Sequence, residues 1–202
     1  MKILFIGNSH TYYNDMVHTF ARVCHANGTE IHTTMLTSPG KSLLWHSEEP
    51  DVRYNILFGS YDYIVLQDAA HPFAGEEDLL KGVEKLKEFI DKTSSKTVLY
   101  MTWAEKRFPQ NQTIMSKAYH SVAKKTNSFL APVGEHWQKV LAKFPDIELF
   151  DNDGEHASPF GSFLVSRVIY KSIFGEYPKI IDEATCNELG DDLKHYLADM
   201  NY

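Results

Sequence analysis

Ile3-Leu4-Phe5-Ile6-Gly7-Asn8-Ser9 follows directly on Met1-Lys2. Four consecutive apolar residues stopped by a glycine are the pattern of a short strand buried on both faces, as in a parallel sheet. The strand delivers a serine at its exit. In open α/β sheets ligands bind outside the carboxyl ends of the strands, so the Ser9 hydroxyl is a candidate nucleophile. Taken alone, Gly-Asn-Ser also reads as a turn and helix cap, because glycine permits positive φ and Asn or Ser accepts from orphan helix N–H groups.

Outward from this strand, short β-type runs alternate with longer helical ones, the signature of a parallel sheet with helices on both faces. The strands expected are Lys2–Ile6, Glu30–Leu36, Tyr61–Leu66, Thr97–Thr102 and Ser128–Pro132. Helices are expected at 14–27, 50–58, 75–92, 110–126, 134–143, 158–174 and 188–199. With 202 residues, 43% of them hydrophobic, and no repeat, low-complexity stretch or Pro/Gly-rich linker, the chain reads as one domain spanning 1–202.

Each strand exit carries polar or turn-forming residues: Gly7-Asn8-Ser9-His10, Ser38-Pro39-Gly40-Lys41, Gln67-Asp68 and Trp103-Ala104-Glu105. In a parallel sheet these all face one edge. Far along the chain, Asp153-Gly154-Glu155-His156 precedes the last long apolar helix and can close over the same edge. By itself this stretch is a turn signal, with His156 able to cap the helix that follows. Beside a serine it supplies what that hydroxyl lacks: a base (His156) and a carboxylate to fix its tautomer (Asp153). Acyl transfer also needs donors aimed at the developing oxyanion. The Ser9 and Gly40 N–H groups and the Gln67 side-chain amide are the candidates, although Pro39-Gly40 also reads as a type II turn.

The set Gly7-Asn8-Ser9, Gly40 after the second strand, a side-chain amide after the third, and Asp153-x-x-His156 resembles the SGNH (GDSL-like) hydrolase superfamily, in order and over nearly the whole chain. The resemblance implies a flavodoxin-like α/β fold, a single three-layer α/β/α domain around a mostly parallel five-stranded sheet. It implies a Ser9 nucleophile, a His156 base, an Asp153 partner and an oxyanion hole from Ser9, Gly40 and the amide of the third block. Two departures stand out. The first block reads Gly-Asn-Ser rather than Gly-Asp-Ser, and Gln67 stands where the family usually has Asn, although Gln keeps the NH₂ donor.

Composition narrows the function classes. Against 27 acidic residues stand 20 basic ones, a formal charge of -7 with no basic run, so nucleic acid is not an expected partner. Cys24 and Cys186 lack metal spacing and read as ordinary thiols. The ten histidines show no spacing that would gather ligands on one helix face, and Asp151-Asn152-Asp153-Gly154 fails as a calcium loop because Ser162 stands at its twelfth position. No metal and no cofactor is expected. The apolar start is too short for a signal peptide and no run suits a membrane span, so a cytoplasmic protein with no membrane partner is expected.

His10, His71 and Trp103 are the expected substrate-pocket residues, with Tyr12, Tyr13, Phe73 and Phe160 as an aromatic rim. The leading expectation is a serine esterase acting on a small-molecule or carbohydrate ester, such as an acetylated sugar. The alternative is a catalytically silent carbohydrate-binding module using that rim. A nucleotide binder would want a Gly-rich loop after the first strand, which Gly7-Asn8-Ser9-His10-Thr11 does not supply.

Overall fold

A computed structural model describes residues 1–199. Five strands, β1 (Lys2–Gly7), β2 (His32–Thr37), β3 (Tyr63–Leu66), β4 (Lys96–Tyr100) and β5 (Phe129–Ala131), pair in the order β2-β1-β3-β4-β5, every pair parallel. The helices are α1 (Ser9–Tyr12), α2 (Met16–Ala26), α3 (Leu43–Glu48), α4 (Pro50–Phe58), α5 (Glu76–Ile90), α6 (Asn111–Lys125), α7 (Val133–Lys143), α8 (Pro159–Phe174) and α9 (Glu183–Asp199). A 3₁₀ turn at Tyr13–Asp15 separates α1 from α2.

Because successive strand residues point to opposite faces, the first strand feeds two cores. Ile3 and Phe5 pack with Val65, Val98 and Tyr100 and with residues of α2, α7, α8 and α9. Leu4 and Ile6 pack with Ile64, Leu66 and Leu99 and with residues of α3 to α6. The result is the three-layer α/β/α arrangement. Each fully buried aliphatic or aromatic side chain contributes about 1.5–3 kcal/mol of transfer free energy. Between them, Ile3 to Ile6 explain why β1 is an interior strand of the sheet while β2, whose residues are all partly or fully exposed, is an edge.

In this order the chain runs from β1 outward to β2 and then returns past β1 to β3. The direction of winding therefore reverses between β1 and β3, which opens a crevice at their carboxyl ends. Ser9 lies two residues beyond β1, at that reversal. α8 is sheathed on all sides from Phe160 to Tyr170, is capped by Ser158, whose hydroxyl accepts from Gly161 N–H, and begins with Pro159. Its buried start fixes where the preceding loop, with Asp153 and His156, emerges.

Most elements lie where the sequence predicts them, with ends moved by at most two residues; α9 starts at Glu183, five residues before the expected 188. The differences lie around the crevice. The expected helix from residue 14 is preceded by the short α1, which begins at the serine itself, and α3 is an additional helix. Cys24 is buried and Cys186 exposed, both as free thiols. Among the described residues no helix is long and apolar enough to cross a membrane.

Candidate active site

The serine side of the site is built into the sheet. Gly7 closes β1 with so little room that a β-carbon there would collide with the Thr11 hydroxyl and the Gln67 side chain. Its carbonyl accepts from buried His46 Nε2 at 2.7 Å. Asn8 is 2% exposed and acts in both directions. Its Oδ1 accepts from His10 N–H at 3.1 Å, capping α1, and its Nδ2 donates to the Lys41 carbonyl at 3.1 Å. That second bond ties the β1 exit to the Ser38-Pro39-Gly40-Lys41 turn. Lys41 N–H donates to the Ser38 carbonyl and Gly40 has φ +68, as a type II turn requires at its third residue. Ser9, first in its helical turn, has an N–H with no intrahelical acceptor.

On the other side, residues 149–158 form a tight loop. Ser158 N–H donates to Leu149 O, Asp151 N–H to His156 O, and Gly154, at φ +72, to Asp151 O. Asp153 Oδ1 accepts the N–H groups of Glu155 and His156, each at 2.9 Å. The β4 exit fastens this loop from outside: Lys106 N–H donates to Gly154 O at 2.9 Å and Trp103 Nε1 to Glu155 O at 2.9 Å.

The two sides meet in a linear relay. Ser9 Oγ lies 2.7 Å from His156 Nε2, and His156 Nδ1 lies 2.6 Å from Asp153 Oδ2. An ionised carboxylate can only accept, so Nδ1 carries the proton and Nε2 presents a lone pair to the serine hydroxyl. Asp153 is held ionised: partial desolvation pushes its pKa up, but the bonds from the His156 ring and the two N–H groups outweigh this and lower it to about 2. The arrangement can take a proton from Ser9 as its oxygen attacks a carbonyl.

A ring cluster surrounds the base. Tyr13 stacks on His156 with centroids 4.2 Å apart and planes 17° apart, and His10 stacks on it at 5.0 Å and 28°. His10 also meets His71 at 4.9 Å and Trp103 at 5.3 Å. Burial lowers the His10 pKa to about 3, with the His71 and His156 rings acting in the same direction, so this ring stays neutral beside the base. His71 donates Nε2–H to the Trp103 carbonyl at 3.0 Å. Beyond His71 lies a cleft of about 300 Å³ between the β3 and β4 exits, walled by Phe73, Phe108, Ile114 and Met115, with Glu105 and Asn111 as its polar groups. Ser9 is not part of its wall.

Several expectations need correction. Gln67 is fully buried; its Oε1 accepts from Asn8 N–H at 2.8 Å and from the Thr11 hydroxyl at 2.9 Å, while its NH₂ donates to the Asp68 carbonyl. It supports the Gly7-Asn8-Ser9 turn from below and presents no donor to the crevice, because the Asn8 N–H claims its oxygen and fixes which way the amide faces. Trp103 cannot stack on a substrate: it is fully buried and lies 3.8 Å from the Trp137 ring, planes 5° apart. His10 is buried behind His156, and Phe160 is a core residue against Phe163 and Tyr196. Of the expected pocket residues, His71 lines the cleft. Sequence reasoning missed the support given by His46, Lys106 and Asn14, none of which stands in a pattern with the serine or the base.

No protein-family model matches the chain, and neither does any curated protein. Solved structures do. A DUF4886 family protein from Bacteroides uniformis superposes with a TM-score of 0.74 at 17% identity, over 100% of this chain and 96% of its own. A catalytic mutant of Axe2, an acetylxylan esterase from Geobacillus stearothermophilus, gives 0.67 at 15% identity, over 85% of this chain and 93% of its own. A member of the lipolytic G-D-S-L family from Veillonella parvula gives 0.63 at 14%, over 85% and 97%. The chain therefore shares the α/β/α fold of these structures, an acetylxylan esterase and a lipolytic G-D-S-L family member among them. At these identities the likeness is one of fold.

Proposed function

We propose that the protein is a serine esterase that removes a small acyl group through an acyl-enzyme on Ser9, with O-acetylated carbohydrate as its substrate class. The observation that carries this reading is the Ser9–His156–Asp153 relay, at 2.7 and 2.6 Å, at the sheet's winding reversal. His156 Nε2 takes the serine proton as Oγ bonds to the carbonyl carbon. The imidazolium, held by Asp153, returns the proton to the leaving alcohol. Water then repeats the sequence in reverse roles and frees the acid and Ser9.

The Ser9 and Gly40 N–H groups are the oxyanion donors in this reading, brought within one unit by the Asn8 bond to Lys41 O. Each such donor contributes about 2.7–4 kcal/mol in enzymes of this kind. The likeness in fold to an acetylxylan esterase supports the substrate class. So does the cleft beyond His71, where aromatic and aliphatic walls stand beside Glu105 and Asn111, the mixed surface a sugar ring requires. Of the rim that a binding module would use, Phe160 is buried in the core, Phe73 lines the cleft and Tyr13 stacks on His156.

The test is hydrolysis of p-nitrophenyl esters of increasing chain length and of acetylated xylo-oligosaccharides by wild type and Ser9→Ala. Turnover falling with acyl length, and lost in a natively folded Ser9→Ala, supports the reading. Undiminished turnover in Ser9→Ala refutes it.

A further inference from the structure

His156 stands on a loop whose own bonds fix its backbone, yet its ring is also gripped from the N-terminal segment. Tyr13 stacks on the imidazole at 4.2 Å and His10 at 5.0 Å, so two residues of the N-terminal segment pack against the ring. His10 belongs to α1 and is buried with it. Tyr13 belongs to a break in an otherwise continuous helical run.

That break is strained. Asn14 (φ 49, ψ 33) and Asp15 (φ 52, ψ 41) are consecutive left-handed residues, neither of them glycine. A left-handed residue with a β-carbon is disfavoured, and Asn and Asp bear it better than most. A helix continuing from Ser9 into α2 would avoid this cost. Such strain persists where the surroundings over-determine it, and here three bonds do so. Asn14 Nδ2 donates to the Ala157 carbonyl at 2.7 Å and to Ser162 Oγ at 3.1 Å, and the Ser162 hydroxyl points at the Tyr13 carbonyl at 3.3 Å. Ala157 directly follows the base, and Ser162 lies in the first turns of α8.

We infer that Tyr13 is a positioning residue for His156, held over the imidazole by an Asn14 strap whose cost is the left-handed pair. The inference rests on the relay of the proposed function. The stack restricts rotation of the ring, keeping Nε2 on Ser9 Oγ, and places the electron-rich face of a phenol against the imidazolium that forms when the proton moves. The Tyr13 hydroxyl faces the Asp151 carboxylate of the same loop, but the stack needs only the ring.

Tyr13→Phe, Tyr13→Leu and Asn14→Gly, each checked for native circular dichroism, are compared with wild type on p-nitrophenyl acetate. In parallel, long-range ¹H–¹⁵N spectra read the His156 tautomer and its ring-current shift. Tyr13→Leu is expected to lose about 10- to 100-fold in kcat, the scale of a misplaced catalytic group, with KM little changed. Asn14→Gly should move the same way, because glycine keeps the backbone but cuts the strap. Tyr13→Phe should restore nearly all of kcat. In the spectra, Tyr13→Leu should show an imidazole without its upfield shift and with mixed tautomers. A Tyr13→Leu protein with wild-type kcat and an unchanged imidazole signal overturns the inference. Should no protein, wild type included, hydrolyse any ester while the imidazole still loosens in Tyr13→Leu, the positioning role stands and the esterase reading falls.

Discussion

Ser9 and His156 meet across 2.7 Å from surroundings of opposite kinds. Around the serine, Asn8, His10, Thr11, His46 and Gln67 are all less than a tenth exposed, and they are joined by bonds that reach across 33 to 59 residues of sequence. Around the base, the Asp153 side chain is 43% exposed and its bonds reach only two or three residues along the chain. Ser9 is placed by the fold, and His156 by a local turn clamped from outside through Trp103, Lys106 and Asn14. A site divided in this way should separate activity from stability. Changes on the base side should cost turnover and leave the fold intact, whereas changes beneath the serine should cost stability first.

The largest effect should come from Asp153→Asn. Asparagine can still accept the Glu155 and His156 N–H bonds, but it can donate to Nδ1 and so favours the wrong imidazole tautomer. A loss of roughly 10⁴-fold in kcat is expected, as for other orienting carboxylates, with a thermal midpoint close to wild type because the pair is exposed. Steady-state kinetics and calorimetry on the same preparation check both halves. A protein that unfolds on this substitution would break the comparison.

Gln67→Leu should do the converse. It leaves the Asn8 N–H and the Thr11 hydroxyl without their buried acceptor, at about 1–3 kcal/mol each. Urea unfolding should show stability lowered by that amount, and the folded fraction should still react at Ser9. Unchanged stability would mean that the buried network does not hold the turn.

Acid should separate the two sides again, by a smaller margin. Burial lowers the pKa of His10, His46 and His71, His10 to about 3, whereas unfolded histidines titrate near 6.5. Below pH 6.5 the unfolded chain therefore binds protons that the native serine side refuses. Stability should fall from there toward pH 3, by up to about 1.4 kcal/mol per pH unit for each fully shifted group. Asp153 works in the same sense and lower down. Its depressed pKa of about 2 makes its contribution complete above the ordinary carboxylate value of 3.8 and lost as pH falls toward 2. Urea midpoints at pH 7.5, 5.5 and 4 should decline, and His10→Gln should flatten the upper part of that decline.

How much of this was legible in the sequence follows the same division. β1 and the Ser9 exit could be read because four apolar residues and a glycine leave a buried strand little alternative. Asp153-x-x-His156 could be read because both residues lie on one turn. α3 was hidden because six residues between Ser42 and Glu49 carry too little periodicity beside the Pro39-Gly40 turn. The place of Gln67 is legible and its task is not: position after a strand is a sequence property, but the direction of a side-chain amide depends on the N–H groups brought near it by the fold. Trp103 reads as a pocket residue because nothing local announces the Trp137 ring beneath it. The left-handed Asn14–Asp15 pair depends on bonds to residues more than 140 positions away, beyond the reach of any local pattern.

Activation of Ser9 by His156 is the step on which the proposed function turns. Its most direct test is intact-mass analysis of the protein after treatment with a fluorophosphonate, with the adduct mapped by peptide digestion. A single adduct on Ser9, formed by wild type and not by Ser9→Ala, is the predicted result. No adduct in a natively folded wild type, or an adduct on another residue, would contradict it.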